Sequence, residues 1–188
     1  AAIVRKPLPI AKQKEKKEFA PIRREELDFS TGKIKRAEQA PTIKGENQTA
    51  MVVCLKIKNM QQITQNHSNV NETLEEINVF ADGNKAVLYE TPEFFYYILM
   101  PSITRTFKNG KSALSVASTI KKTLDKHNKF FKQRVDFGIS LHLGEIVSGI
   151  EKNKVKFAAL GDYLKTAKRI AEISQQEELL SEALRSKM

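Results

Sequence analysis

One cysteine, three histidines and no apolar run of membrane-spanning length occur in these 188 residues, and each scarcity removes a class of function. A single cysteine, Cys54, cannot close an internal disulfide, so a reducing, cytoplasmic setting is expected rather than secretion. It sits inside the strand-like run Met51 to Ile57, where a thiol packs as a small hydrophobe. No signal-peptide pattern opens the chain, and no stretch approaches the roughly 20 apolar residues a helix needs to cross a bilayer. His142 and Glu145 are expected on either side of a turn, not on one helical face, which excludes a metalloprotease-type zinc pair. His67 and His127 stand in polar surroundings with no Cys or Asp in register and read as solvated. There is no Ser-His-Asp order, no Walker loop and no dinucleotide fingerprint. Thr31-Gly32-Lys33 ends like a phosphate-binding loop but lacks the upstream glycine and strand which that mechanism needs.

What is present is enough for one core and a tail. Hydrophobic residues make up 40% and charged residues 29%, which supports one domain of ordinary size. The net charge is +10, and its distribution is uneven: residues 1–50 hold 12 Lys/Arg against 7 Asp/Glu, and residues 51–188 hold 20 against 15. The first part is therefore far more basic per residue. Pro7, Pro9, Pro21 and Pro41 punctuate it, and it has no sustained apolar period, so residues 1–48 read as an extended basic linker with at most a short helix at Ala11 to Phe19. Lys12, Lys14, Lys16, Lys17, Arg23 and Arg24 could meet a membrane surface or nucleic acid. Interleaved Glu15, Glu18, Glu25 and Glu26 argue for a solvated linker instead. A start at Ala1 rather than Met suggests a chain processed or cut from something longer, where an upstream segment could tether it to a membrane.

From residue 49 the pattern becomes regular. Met51 to Ile57 reads as a strand, and Glu72 to Ala81 as a helix with Leu74, Ile77, Phe80 and Ala81 on one face, ended by Asp82-Gly83-Asn84. Lys85 to Tyr89 and Glu93 to Met100 form a hairpin around Thr91-Pro92. The second arm is too apolar for one wet face, so a helix from Gly110 to Phe131, with Ala113, Ala117, Ile120 and Leu124 inward, is expected to cover it. Adjacent aromatics in Phe94 to Tyr97 point to opposite faces, which fits a core strand better than a base-stacking platform. Then come a strand at Val135 to Leu141, a turn at Leu143-Gly144-Glu145, a strand at Ile146 to Ile150, a tip at Glu151 to Lys154 and a return at Val155 to Leu160. A helix from Gly161-Asp162, a short strand at Glu178 to Glu182 and a last helix capped by Ser181 complete the chain. The fold class is α+β, with a ferredoxin-like βαββαβ core and an extra hairpin.

Phe137-Gly138-Ile139-Ser140-Leu141-His142-Leu143-Gly144, running on to Gly149, resembles the "G-I-x-x-H-x-G-x-x-x-x-G" segment of class III adenylate/guanylate cyclase domains. Phe157 to Ile170 is similar to the segment ending in "G-D-x-x-x-x-A-x-R", Glu178 to Glu182 to the "I-L-x-S-E" strand, and Val52 to Ile57 to the first strand. The resemblance covers residues 49–188. It implies a cyclase-homology domain that stops at Met188, short of the last strands such domains carry.

Cyclisation of a nucleoside triphosphate needs two divalent cations to activate the 3′ hydroxyl and neutralise the phosphates. The resemblance puts the two metal-holding aspartates at Lys56 and near Glu90-Thr91-Pro92. An ammonium has no lone pair to give a metal; Glu90 could substitute only in a shifted register. The base-reading position is Ala158, and the ribose-orienting Asn is Lys165. The transition-state Arg survives as Arg169, four residues from Lys165 and on the same helical face. The expectation is therefore a catalytically inactive domain with regulatory, dimerising or nucleotide- and phosphate-sensing roles. Lys165 and Arg169 would be its phosphate contacts, no cofactor would be bound, and a homodimer, a nucleotide or an acidic protein would be its partner. The alternatives are a divergent cyclase using Mg²⁺ or Mn²⁺, and a module that contacts nucleic acid or membrane through residues 1–48.

Overall fold

A computed structural model describes residues 35–40, 43–65, 69–151, 154–158 and 161–186. The helix expected at Ala11 to Phe19, the tail's basic residues through Lys33, the Thr31-Gly32-Lys33 triplet, His67 and the hairpin-tip residues Lys152 and Asn153 lie outside the described residues.

The elements are β1 (Lys35–Gln39), β2 (Glu46–Ile57), α1 (Met60–Gln65), α2 (Val70–Gly83), β3 (Val87–Glu90), β4 (Phe94–Leu99), α3 (Pro101–Thr104), α4 (Gly110–Phe130), β5 (Phe137–Glu151), β6 (Lys154–Ala158), α5 (Gly161–Ile173), β7 (Glu178–Leu180) and α6 (Glu182–Arg185). The antiparallel order β3-β4-β2-β5, with helices in both crossovers, is the expected ferredoxin-like core. β1 lies between β3 and β6, and β2 pairs with β5, so six strands close into a ring; β7 adds to β5 in parallel.

Near-continuous apolar strands follow from burial on both faces. On β2, Met51, Val53, Leu55 and Ile57 join a cluster with Ile77 of α2 and Ala117, Ile120 and Leu124 of α4. The alternate residues Ala50, Val52 and Cys54 join a second cluster with Tyr96, Ile98, Phe157 and the α5 residues Tyr163, Ala167 and Ala171. β4 splits in the same way, with Phe95, Tyr97 and Leu99 on the α2/α4 side and Phe94, Tyr96 and Ile98 on the α5 side. Cys54 is fully buried, and burial pushes its thiol pKa upward.

Two glycines explain how α5 lies so close to β5. A β-carbon at Gly138 would stand 2.0 Å from the Ala171 carbonyl oxygen, and one at Gly144 would stand 2.5 Å from the Tyr163 ring. The motif's glycines are thus close-approach positions. The Tyr163 hydroxyl donates to the Ala50 carbonyl at 3.1 Å, and the Ser140 hydroxyl to the Ala167 carbonyl at 2.6 Å.

Several elements differ from the sequence reading. β5 runs unbroken through Leu143-Gly144-Glu145, so no turn separates two strands and His142 and Glu145 share one strand. The first core strand begins at Glu46, and Lys35–Gln39 adds a strand within the stretch read as linker. Helices α1 and α3 were not expected. Ser181 precedes α6 as foreseen, but its buried hydroxyl has no hydrogen-bond partner and so makes no side-chain cap. His127 is buried, not solvated: Thr73 Oγ1 lies 2.7 Å from Nδ1, and Nε2 lies 3.1 Å from the Gln133 carbonyl. The α4 C-terminus packs against α2 and removes it from water. Among the described residues, no helix is long and apolar enough to cross a membrane.

Candidate functional site

Lys56 is the next-to-last residue of β2, on the face covered by α5, with Phe94 of β4 and Gly138 of β5 as its ladder partners. Its ammonium lies 3.5 Å from Glu172 Oε1 on α5 and 3.9 Å from Glu93 Oε2, just before β4. The same nitrogen sits 4.9 Å from the Phe94 ring centroid. Lys168 of α5 places its ammonium over that ring too, at 4.8 Å. Two lysines thus lie over one buried aromatic ring, and one of them also pairs with two glutamates, a combination of ion pairing and cation–π attraction. Nearby, Lys58 Nζ donates to the Ser174 carbonyl at 2.6 Å, placing a cation at the C-terminal end of α5.

Glu90 is not in this cluster. Its ladder partner is Phe95, whose side chain faces the α2/α4 side, and its carboxylate pairs with Arg36 at 2.7 Å. The shifted-register substitution is therefore ruled out by sheet geometry: neighbours on a strand face opposite ways. The carboxylate that does reach Lys56 is Glu93. Neither Glu93 nor Glu172 was singled out from the sequence. Their signals were faint: Glu172 follows Lys168 by one helical turn, and Glu93 stands directly before the strand paired with β2.

A divalent cation does not fit this arrangement. At 4 Å, the repulsion between an ammonium and a doubly charged ion is about 8 kcal/mol at an effective dielectric of about 20, and about 2 kcal/mol in bulk water. Both carboxylates already pair with Lys56, and among the described residues no three His, Cys, Asp or Glu side chains are placed to hold a metal ion.

Ala158 ends β6 opposite Val147, and its methyl side chain cannot read a base. Lys165 and Arg169 are both exposed on the outer face of α5, with Lys168 between them turned toward Phe94. The structure brings Lys165 and Arg169 onto one surface, as their spacing predicts, away from the Phe94 cluster's interior. His142 lies on the same face of β5, its ring 5.3 Å from that of Tyr163. Its Nδ1 is buried without a partner, and burial lowers its pKa.

Neither a protein-family profile nor a curated protein sequence matches the chain. Solved structures do. The guanylate cyclase domain of RhGC from Catenaria anguillulae, in complex with GTP, superposes with a TM-score of 0.60 at 17% identity, covering 75% of this chain and 82% of that one. The non-canonical dimeric guanylyl cyclase domain of the RhoGC fusion protein from Blastocladiella emersonii gives 0.58 at 16%, covering 75% and 84%. The adenylyl cyclase CyaB from P. aeruginosa gives 0.59 at 12%, covering 77% and 82%. Likeness at such identities is a likeness of fold.

Proposed function

We propose that this chain, which has the class III nucleotide cyclase catalytic-domain fold, is a non-catalytic signalling module that works through dimerisation and partner contact in the cytoplasm. The observation that carries the reading is Lys56. Where the cyclase resemblance requires a metal-holding carboxylate, the chain supplies a positive charge, and Glu172 and Glu93 neutralise it within 3.5 and 3.9 Å. Ala158 and Lys165 support the same reading: the first has no hydrogen-bonding side chain to select a base, and the second has donors but neither the acceptor nor the planar geometry of the ribose-orienting amide. No metal-dependent step is assigned to these residues. The exposed pair Lys165 and Arg169 favours a subsidiary role, recognition of a phosphate or an acidic protein surface without metal.

The test is cyclic nucleotide synthesis by purified protein given ATP or GTP with Mg²⁺ or Mn²⁺. None is expected. Synthesis that disappears on Lys56→Ala would overturn the proposal, because it would show that the cluster works as a catalytic site.

A further inference from the structure

The positive charge of the folded domain is concentrated in one stretch of it. Residues 105–134 hold 9 Lys/Arg and a single acid, Asp125, a net +8. The other residues after 50 hold 11 Lys/Arg against 14 Asp/Glu, a net −3. Residues 105–134 are the approach to α4, α4 itself and the loop that leaves it, so the fold gathers this charge onto one side. Segregation of that kind draws an anionic partner to the basic side.

α4 carries the charge as a ridge. Its residues Ala113, Ala117, Ile120 and Leu124 face the core. On the opposite side Lys111, Ser115, Lys122, Lys126 and Lys129 recur at helical spacing on one face, and all are exposed. From Lys111 to Lys129 the ridge runs about 27 Å. Carboxylates stand beside it: Asp125 pairs with Lys121 at 2.7 Å, Glu178 in the field of Lys121 and Lys122 belongs to β7, and Glu72 and Glu76 of α2 line a groove with Lys126.

Each end of the ridge presents an uncovered phenylalanine. Phe107, just before α4, is 91% exposed, and Phe130, its last residue, is 75% exposed. Neither tip is loose. Before the helix, the Lys108 amide donates to the Thr106 hydroxyl and the Asn109 side chain to the Thr106 carbonyl, both at 3.1 Å. After it, the Asn128 side chain donates to the Val135 carbonyl at 2.8 Å and accepts from the Val135 amide at 2.7 Å, while Gln133 donates to the Gln62 carbonyl of α1 at 3.2 Å. The backbone is held while both rings are left outside. Arg105 and Lys108 flank the first ring, and Lys129 and Lys132 the second, all exposed.

We infer that the outer face of α4 docks on an anionic membrane surface, with Phe107 and Phe130 entering the headgroup layer and the lysine ridge between them meeting the lipid phosphates and carboxylates. The partner has to be extended and flat, because the two rings stand at opposite ends of a 21-residue helix. Bases that stack on successive aromatic side chains need those rings side by side. Lysine dominates the face, which suits diffuse attraction to a charged surface more than bidentate phosphate recognition. The docking face goes beyond the dimerisation reading and does not depend on it.

Cosedimentation of the full chain with lipid vesicles tests this. Vesicles of phosphatidylcholine with about one-third phosphatidylserine should bind the chain, plain phosphatidylcholine vesicles should not, and 1 M NaCl should release it as the Debye length falls to about 3 Å. Lys122→Gln/Lys126→Gln/Lys129→Gln, all at exposed positions, should weaken binding by about a hundredfold, at about fivefold per charge. Lys12→Gln/Lys14→Gln/Lys16→Gln in the basic tail should change it far less. The chain has no tryptophan, so Phe107→Trp and Phe130→Trp each supply a sole fluorescent reporter, and both should shift to the blue on the anionic vesicles. The inference fails if anionic vesicles do not bind the chain, if the tail variant loses binding and the α4 variant keeps it, or if either tryptophan stays in water. It also fails if an oligonucleotide binds the native chain more tightly than the vesicles do and loses that affinity in the α4 variant, which would make nucleic acid the partner of the ridge.

Discussion

Replacing Lys56 by methionine removes the ammonium but keeps a stem of similar length against Phe94. Its two carboxylate partners have side chains 37% and 44% exposed, so each pair is worth only about 0.2–1 kcal/mol after solvent screening. The contact with the Phe94 ring adds roughly 0.5–1 kcal/mol. A loss of about 1–3 kcal/mol follows, which for a chain of this size lowers Tm by roughly 2–12 °C. The deficit should shrink in 1 M NaCl, where the Debye length falls to about 3 Å. Thermal unfolding of both proteins at low and high salt, each with and without Mn²⁺, measures all of this. Native protein should show no Mn²⁺-dependent rise in Tm. Lys56→Asp should be the least stable of the three without metal and should gain stability when Mn²⁺ is added, because three carboxylates then face one another. If native protein instead gains Tm with Mn²⁺, and Lys56→Met melts at the native temperature, the ammonium does not occupy a metal position and the reasoning fails.

Two further outcomes follow from packing and protonation. Gly138→Ala sets a methyl against the Ala171 carbonyl, where no side-chain rotation gives relief, and should cost about 1–3 kcal/mol or more in denaturant unfolding; Gly83→Ala, with open space at the end of α2, should instead gain roughly 0.4–1 kcal/mol. An unchanged midpoint for Gly138→Ala would mean that α5 does not lie on β5 there. Burial lowers the pKa of His142, so its contribution to stability is complete above the unfolded value of about 6.5 and declines as pH falls toward and through the folded value, where the unfolded chain holds the extra proton. His142→Phe should flatten the stability profile on the acid side of that value, and an identical profile in the variant would place the titration elsewhere.

Much of the fold was legible because its signals are local. Apolar residues on both faces of Met51 to Ile57 demanded cover on each side, and the helical period of Ala113, Ala117, Ile120 and Leu124 supplied one cover. Gly138, Gly144 and Gly149 marked the segment correctly, but for a reason that spacing could not disclose: Gly144 makes room for Tyr163 and does not turn the chain. β1 was invisible because its partners lie about 50 and 118 residues away and its alternation offers only Ala37 to the core. At the site, the cyclase resemblance marked Lys56, Ala158 and Lys165 as departures from its pattern and Arg169 as a retained position. It did not identify what compensates Lys56, since Glu93 and Glu172 come from different elements and meet only when α5 settles on β5. His127 was misread for a related reason, as its polar sequence neighbours do not reveal that α2 lies against it.

A ligand that binds only the folded state stabilises it by an amount that rises with the logarithm of its free concentration. Lys56 is covalently part of the chain, present once in every molecule, and has no free concentration. The cluster around Phe94 is made of the chain's own side chains and forms as the chain folds. The corner of the sheet where β2, β4 and α5 meet therefore owes its ion pairs to folding alone.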